Sequence, residues 1–488
     1  MADDQGAAGT YAATAETHSG VVVFLGDRAY KLKKPVDLGF LDFSSRQARE
    51  RACRREVELN RRLAPDVYLG VADVHDAQGQ PCEHAVVMRR MPAERRLSAL
   101  LGEEPGQQLD DVIREVARLV AEFHAGAQRS EEISAEGRRD AVRGRWQEHF
   151  DDLERFRGEV LDDDTVAEIR RRAADFLDGR KPLFDRRIAE GRVLDGHGDL
   201  LADDIFCLDE GPRVLDCLDF DDLLRWLDGL DDISFLVMDL DYRGHPELAR
   251  RLAAEYADAA DDPAPAALHH HYVAYRALVR AKVDCLRHEQ GAGSAAADAR
   301  HHAELALGRL RAGTVRLMLV GGLPGTGKST VSEALADRLG AVVVSSDRVR
   351  KELAGVDAST DAAAGYQQGL YSSAHTEQTY AALADRAETL LARGESVVLD
   401  ASWTSAPHRE VAARAASRTG SELAGLWCSV PDDIVAERIR DRSGAESDAD
   451  ENIAALMAAD ADPWPQATVI STAGPPEDSV QQALARLG

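Results

Sequence analysis

Residues 316–330 read Arg-Leu-Met-Leu-Val-Gly-Gly-Leu-Pro-Gly-Thr-Gly-Lys-Ser-Thr, and this stretch decides how the last third of the chain folds. An apolar run, Arg316–Val320, leads into a full G-x-x-x-x-G-K-S from Gly322 to Ser329, and a helical pattern follows. Glycines at 322, 325 and 327 let backbone N–H groups turn inward around phosphate oxygens, with Thr326 between them. The helix that starts near Lys328-Ser329-Thr330 adds its dipole. Lys328 is placed to neutralise β- and γ-phosphates, and the Ser329 hydroxyl to ligate Mg²⁺.

Further apolar runs follow at 341–344, 396–399, 425–428 and 468–470, with helical patterns between them. Alternation of this kind predicts a parallel sheet covered by helices on both faces, and ligands then gather at the carboxyl ends of the strands. Two acids stand there. Asp400 closes Ser-Val-Val-Leu-Asp, an apolar strand ending in a carboxylate suited to Mg²⁺. Asp347 follows Val-Val-Val-Ser-Ser, where a general base for a substrate hydroxyl belongs, although a plain helix N-cap is the alternative. Arg350 lies three residues on, able to hold an anion. Arg438 and Arg442 share one helix face and can stabilise charge in phosphoryl transfer, or else pair with neighbouring acids.

The run GGLPGTGKST…SSDRVRKELAG…VVLDASW…RIRDR resembles the P-loop kinases related to polynucleotide 5′-hydroxyl kinases and gluconate-type kinases, over residues 315–488. The resemblance implies ATP binding. It also implies that Asp347 and Arg350 handle the acceptor hydroxyl and that Arg438 and Arg442 are lid arginines.

Upstream, residues 196–220 run Gly-His-Gly-Asp-Leu-Leu-Ala-Asp-Asp-Ile-Phe-Cys-Leu-Asp-Glu-Gly-Pro-Arg-Val-Leu-Asp-Cys-Leu-Asp-Phe. Phosphoryl transfer needs a carboxylate near the acceptor and metal ligands a few residues away. Asp199 fits the base. Asp204 and Asp219 fit the metal sites, since carboxylate oxygens suit Mg²⁺. This stretch resembles the aminoglycoside phosphotransferases and their kinase-like relatives, over about residues 17–300. It keeps His197-Gly198-Asp199 and Leu218-Asp219-Phe220, but has Asp204 where that group carries a metal-binding Asn. Asp228 and Asp232 resemble the structural acids that follow in those enzymes. Asp27-Arg-Ala-Tyr-Lys-Leu-Lys-Lys34 resembles the lysine strand of a kinase N-lobe, which implies that Lys31 holds α/β-phosphates and that Glu56 pairs with it. Lys33, on the same strand face by period two, is the second candidate.

The expected architecture is therefore an α+β kinase-like domain over 17–310, after a frayed polar segment 1–16, and an α/β P-loop domain over 314–488. Composition agrees with a globular chain of more than one domain: 488 residues, 44% hydrophobic and 30% charged. The balance of 59 Lys plus Arg against 86 Asp plus Glu, a net charge of −27, argues against a general nucleic-acid or acidic-membrane binder while leaving room for a local basic site. High-salt adaptation is one reading of that acidity, and the composition bias of a GC-rich genome is the alternative. The N-terminus lacks the basic and apolar regions of a secretory signal, no apolar run is long enough to span a bilayer, and the six cysteines show no zinc spacing. A cytoplasmic protein with reduced thiols is expected. His269-His270-His271 points three ways on a helix and reads as packing. Arg276, Arg280 and Lys282 form a rare basic stretch that faces an anionic substrate or the partner domain, or else salt-bridges to acidic neighbours.

These readings converge on an ATP- and Mg²⁺-dependent phosphotransferase that acts on a hydroxyl of a small molecule, sugar or aminocyclitol-like. Two alternatives stay open. One is 5′-hydroxyl phosphorylation of a nucleic-acid end by the C-terminal domain; the other is a nucleotide-sensing regulator whose kinase-like domain is degenerate at Asp204. Nothing in the sequence fixes the oligomeric state.

Overall fold

The structure is a computed structural model. It describes residues 12–16, 20–36, 42–102, 107–356, 372–431, 434, 435, 438 and 456–487. The chain forms two compact units that interleave along the sequence. The first comprises Met1–Thr165, Arg186–Ala264 and Tyr272–Leu307, and the second Val166–Asp185, Pro265–His271 and Gly308–Gly488.

The first unit opens with strands β1 (Ala12–Glu16), β2 (Gly20–Leu25) and β3 (Arg28–Lys33), helix α1 (Arg46–Asn60), and strands β4 (Tyr68–His75) and β5 (Pro81–Arg89). The strands form one antiparallel sheet in the order β1-β2-β3-β5-β4. Gly26, at φ 57°, and Asp27 make the two-residue turn between β2 and β3 that their sequence predicts. Ala12–Glu16 corrects the expectation of a frayed 1–16: these residues pair with β2 from Ala12 opposite Leu25 to Glu16 opposite Val21. Helix α1 starts where Ser45 Oγ accepts the Ala48 N–H at 3.1 Å. It buries Cys53 and Val57 against Ala29, Tyr68, Val86 and Met88 of the sheet. Lys31, Lys33 and Glu56 are thereby brought to the same side of β3.

A helical region follows: α2 (Leu97–Leu100), α3 (Gln107–Gly126), α4 (Glu131–Glu136), α5 (Arg139–Leu153), α6 (Asp163–Gly179) and α7 (Lys181–Ala189). The acid-rich stretch is built on two short hairpins. Strands β6 (Val193–Asp195) and β9 (Trp226–Asp228) pair antiparallel, as do β7 (Ile205–Leu208) and β8 (Gly211–Val214). Helices α8 (Gly229–Tyr242), α9 (Pro246–Ala259), α10 (Ala266–Glu289) and α11 (Ala295–Ala312) complete the region. From Gly229 to Leu240 every residue of α8 is buried, as a helix apolar on most faces must be. Strands followed by helices make the expected α+β arrangement, but the boundary differs from the expected 17–310, because Val166–Asp185, Pro265–His271 and residues 308–312 of these helices belong to the second unit.

The second unit carries β10 (Arg316–Gly321), α12 (Lys328–Leu339), β11 (Val342–Ser345), α13 (Ser346–Leu353), α14 (Ser373–Leu391), β12 (Val397–Asp400), α15 (Ala406–Arg418), β13 (Glu422–Ser429), β14 (Thr468–Ser471) and α16 (Pro476–Leu487). All five strands run parallel in the order β11-β12-β10-β13-β14. Met318, Val320, Val398, Leu426 and Ile470 form its core with Val331 and Leu335 of α12 and Val480 of α16. This is the α/β P-loop architecture. Its register aligns Asp400 with Val320 on one side and Ser345 on the other. The glycine-rich loop, Asp400 and the start of α13 therefore leave the sheet at the same edge.

Candidate functional site

In the first unit one cleft of about 440 Å³ is lined by Lys31, Lys33, Asp199, Asp216 and Asp219, together with residues of α5 and α10. Glu56 is 1% exposed and uses both carboxylate oxygens: Oε1 is 2.9 Å from Lys31 Nζ and Oε2 is 2.7 Å from Lys33 Nζ. Each lysine has a second acid. Lys31 Nζ lies 2.9 Å from Asp216 Oδ1, and Lys33 Nζ lies 2.9 Å from Asp219 Oδ2. Burial alone would depress the Lys31 ammonium, but Asp216 and Glu56 hold it well above its ordinary value. Burial works equally against the Glu56 carboxylate, and the two lysines hold its pKa down. The sequence assigns Lys31 to Glu56; the structure gives Glu56 to both lysines equally.

Asp199 sits in a braced turn. Asp232 accepts the backbone N–H of His197 at 2.7 Å and of Gly198 at 2.8 Å, and the His124 ring at 2.9 Å. Gly198 has φ 87°, and a Cβ on Gly196 would stand 2.5 Å from Asp232 Oδ2, so both glycines of Gly-His-Gly-Asp are required by this turn. Arg62 clamps the carbonyls of Asp195 and Gly196. The His197 ring donates from Nε2 to the Leu215 carbonyl at 3.1 Å and accepts the Asp199 N–H at Nδ1. Burial pushes its pKa down to about 4, so it is a neutral strut. Asp228 caps α8 through the Leu230 N–H and pairs with buried Arg187. Asp228 and Asp232 are thus scaffold, as their sequence context implies.

No hydrogen bond reaches the Asp199 carboxylate among the described residues. Burial pushes its pKa up to about 6, helped by Asp216 and opposed by Arg280 and Arg276. Asp204 is raised well above the ordinary carboxylate value by burial and then by Asp216, Asp199 and Asp203. Asp219 is raised by burial and Glu56 against the pull of Lys33 and Lys31. Carboxylates that raise one another are short of positive charge. Among the described residues no group of three His, Cys, Asp or Glu side chains makes a ready metal cage. Mg²⁺ needs none, since it takes one or two carboxylates and leaves its other positions to phosphate and water. Asp204 and Asp219 both have oxygen donors of that kind, but the acids that act on Asp204 are Asp216, Asp199 and Asp203, while Asp219 lines the cleft and pairs with Lys33.

In the second unit Gly322, Gly325 and Gly327 all have positive φ, at 147°, 82° and 80°. Thr326 is buried and braces the loop: its hydroxyl donates to the Leu323 carbonyl at 2.8 Å, while its own carbonyl accepts the Thr472 hydroxyl at 2.6 Å. Lys328, Ser329 and Thr330 form the first turn of α12, with both hydroxyl residues exposed. Asp400 is buried at the end of β12. Arg438 donates from Nη2 to the Thr472 carbonyl at 2.8 Å, and its Nη1 would be 3.4 Å from a Cβ on Gly327, so it stands over the loop. Asp347 and Arg350 share α13, but the ion pair of Asp347 is with Lys351, at 3.1 Å, one turn on. Arg442 lies outside the described residues.

Three participants escape the sequence reading. Asp216, with φ 61°, is visible in sequence only as an acid three residues before Asp219. Lys351 follows Asp347 at i+4. Thr472 stands just past β14, at the carboxyl edge of the parallel sheet where loop-bracing groups belong. The histidine run packs: His271 is buried and stacks on Phe176 at 4.3 Å. Of the basic stretch, Arg276 pairs with Asp231 at 2.7 Å and Lys282 with Asp152 at 3.1 Å. Within the described residues no helix is long and apolar enough to cross a membrane.

Residues 317–463 match the family described as AAA domain. Over 468 residues the chain is 44% identical to the uncharacterized protein Rv2004c of Mycobacterium tuberculosis and, equally, to the uncharacterized protein Mb2027c of Mycobacterium bovis, covering 96% of this chain and 94% of each relative. Among solved structures, a choline/ethanolamine kinase family protein from Mesorhizobium loti is similar over 63% of this chain and 94% of its own, at 15% identity and TM-score 0.38. A gluconokinase from Sinorhizobium meliloti 1021 is similar over 36% of this chain and 91% of its own, at 21% identity and TM-score 0.27.

Proposed function

Because the chain belongs to the same family as these two mycobacterial proteins, which it matches almost end to end, and has a kinase-like unit beside a P-loop unit, we propose that it is an ATP- and Mg²⁺-dependent phosphotransferase acting on a hydroxyl of a small molecule. The observation that carries this reading is the cleft that holds the Lys31–Glu56–Lys33 bridge and the Asp199 carboxylate together. Lys31 and Lys33 exchange Asp216 and Asp219 for phosphate oxygens, while Glu56 keeps both ammoniums aimed. Asp204 and Asp219 hold Mg²⁺, which when bound neutralises charge on the phosphates. With a pKa of about 6, Asp199 is ionised at neutral pH yet basic enough to accept the acceptor hydroxyl's proton. As that proton leaves, the acceptor oxygen bonds to the γ-phosphorus, the bond to the bridging oxygen breaks, and ADP departs.

The second unit binds a second nucleotide. Its loop N–H groups, Lys328, Ser329 and Thr330 hold the phosphates, Ser329 and Asp400 face Mg²⁺, and Arg438 covers the loop. Asp347 and Arg350 serve an acceptor there. A second reading, a nucleotide-sensing regulator, is favoured by the extra negative charge of Asp204 beside Asp199 and Asp216.

Transfer from γ-labelled ATP, measured for wild type, Asp199→Asn and Lys328→Ala with sugars, aminocyclitols and oligonucleotides, separates the readings. Loss of small-molecule labelling in Asp199→Asn supports the proposal. Labelling of oligonucleotide ends alone, abolished by Lys328→Ala, assigns the chemistry to the second unit. ATP binding without transfer to any acceptor leaves the regulator.

A further inference from the structure

The wall of the cleft made by α5 and α10 has a charge opposite to that of the chain. Although acids outnumber basic residues by 86 to 59, Arg145, Arg276, Arg280 and Lys282 all face the cleft that contains Asp199. Arg276 and Arg280 are one turn apart on α10, as Arg145 and His149 are on α5, so each helix presents these groups on a single face. The acids on this wall are Glu148, Asp152 and Asp231.

Most of the cations already have partners. Arg276 is held by buried Asp231 at 2.7 Å, Lys282 by Asp152 at 3.1 Å, and Arg145 by Glu136 at 3.4 Å. Arg280 differs: among the described residues it forms no ion pair, although its charge bears on Asp284 one turn along α10. After burial, its charge is the largest influence on the Asp199 carboxyl. The surplus is felt elsewhere on the wall. Burial and then Lys282, Arg276 and Arg145, opposed by Asp152, push the His149 ring down to about 3, so it is neutral and adds no charge of its own. A cationic amine seated beside Asp199 would meet this field. A carboxylate or phosphate would give Arg280 the close ion pair that Asp199 and Asp284 do not make with it.

Resting on the phosphotransferase reading, we propose that the acceptor is an anionic hydroxyl compound whose carboxylate or phosphate is gripped by Arg280 while its hydroxyl is presented to Asp199. Arg145 and Lys282 line the same wall and add to the attraction. Val279 and Val283, between and beyond the cations on α10, supply the apolar surface against which a carbon frame rests.

The test uses matched frames that differ in charge: glucose, glucosamine, glucuronate and glucose 6-phosphate, and myo-inositol with its amino and monophosphate forms. Binding to the full-length protein is measured by calorimetry in the presence of a non-hydrolysable ATP analogue, and labelled transfer is measured in parallel. Anionic members should bind tighter than their neutral and amino partners, and the carboxylate and phosphate arms say which anion is preferred. Arg280→Gln should weaken the anionic members by about tenfold to a hundredfold, the range of a charge-assisted hydrogen bond, with Arg280→Lys keeping part of the preference and affinity for the ATP analogue unchanged. Tighter binding of neutral or amino members, no binding of any anionic member, or an anion preference that survives Arg280→Gln overturns the proposal. Anion-selective binding without transfer supports it and counts instead against phosphoryl transfer.

Discussion

Lys33 Nζ lies 2.7 Å from Glu56 Oε2, and both side chains are almost wholly buried, at 4% and 1% exposure. The same carboxylate holds Lys31 at 2.9 Å. Glu56 thus bridges two ammoniums in the interior of the first unit, and Asp216 and Asp219 each pair with one of them. Removing one partner of a buried ionic cluster costs about 3–5 kcal/mol, because the remaining charges stay desolvated. Glu56→Gln should lower unfolding free energy by about that amount, and more than Lys31→Met or Lys33→Met. In denaturant melts, a smaller loss for Glu56→Gln than for either lysine variant would count against a shared bridge. Both lysine variants should weaken ATP in the first unit, whereas a single phosphate-binding lysine predicts that one of them is silent.

The Asp199 carboxyl makes a two-sided pH prediction. Its folded pKa is about 6, above the ordinary 3.8, chiefly because of burial. Acceptor phosphorylation should fall below pH 6 with a slope of one proton, since the base is then protonated. Stability runs the other way. A raised carboxyl contributes fully to the fold below its unfolded pKa, and that contribution is lost as pH rises through the folded value. At pH 7 Asp199→Asn should therefore be inactive yet more stable by about 2–3 kcal/mol, the gap closing near pH 4. An Asp199→Asn protein less stable than wild type at pH 7 would contradict this account.

How much of this was legible in sequence depended on whether a constraint was local. The phosphate loop was readable because Gly322, Gly325, Gly327 and Lys328 work within one turn of chain, and the parallel sheet because its apolar runs alternate with helices. Asp228 and Asp232 were readable as scaffold by resemblance, although their partners Arg187 and His124 come from helices far away in sequence. The shared use of Glu56 was not readable. Period two puts Lys31 and Lys33 on one face but does not say that α1 delivers a carboxylate midway between them. Asp216 was hidden for the same reason, since only its φ of 61° and the position of β3 turn it onto Lys31. At the N-terminus, Ala12–Glu16 looked structureless because small residues carry little periodicity, yet β2 offered a free edge to pair with.

Asp232 is the carboxylate on which the Asp199 turn depends. Burial would raise its pKa, but the hydrogen bond and charge of His124, with His197 and its backbone N–H, hold it well below the ordinary carboxylate range. A depressed carboxyl stabilises the fold above its unfolded pKa and loses that contribution as pH falls through the folded value. Asp232→Ala leaves the N–H groups of His197 and Gly198 buried without an acceptor, a cost of about 1–3 kcal/mol for each group. Urea titrations at pH 7 should show the loss. It should shrink in strong acid, where wild-type Asp232 is itself protonated. Transfer activity should vanish even where the variant remains folded, because Asp199 loses its position. Retained activity in a folded Asp232→Ala protein would show that the turn holds without it.

In the second unit the strictest requirement falls on Gly322. Its φ of 147° is one that other residues rarely adopt, and an added Cβ would stand 2.6 Å from Thr326 Oγ1 and 2.9 Å from the Cys428 carbonyl. Thr326 cannot yield easily, since it is tied to Leu323 through its hydroxyl and to Thr472 through its carbonyl. Backbone on the other side is fixed by β13. Gly322→Ala must therefore move the loop, and the N–H groups aimed at phosphate move with it. Nucleotide affinity of the second unit should fall by about a hundredfold, the equivalent of two or three displaced hydrogen bonds. The core of the unit, packed from Met318, Val320 and Leu426 behind the loop, should keep its melting transition. Gly79→Ala is a suitable control: it too has positive φ, at 77°, but nothing lies within 4 Å of the new carbon. Fluorescent-nucleotide titration of the two variants, each with Lys31→Met to weaken nucleotide binding in the first unit, separates a crowded loop from general backbone strain. Equal affinities in both would mean that the close approach at Gly322 does not shape the phosphate site.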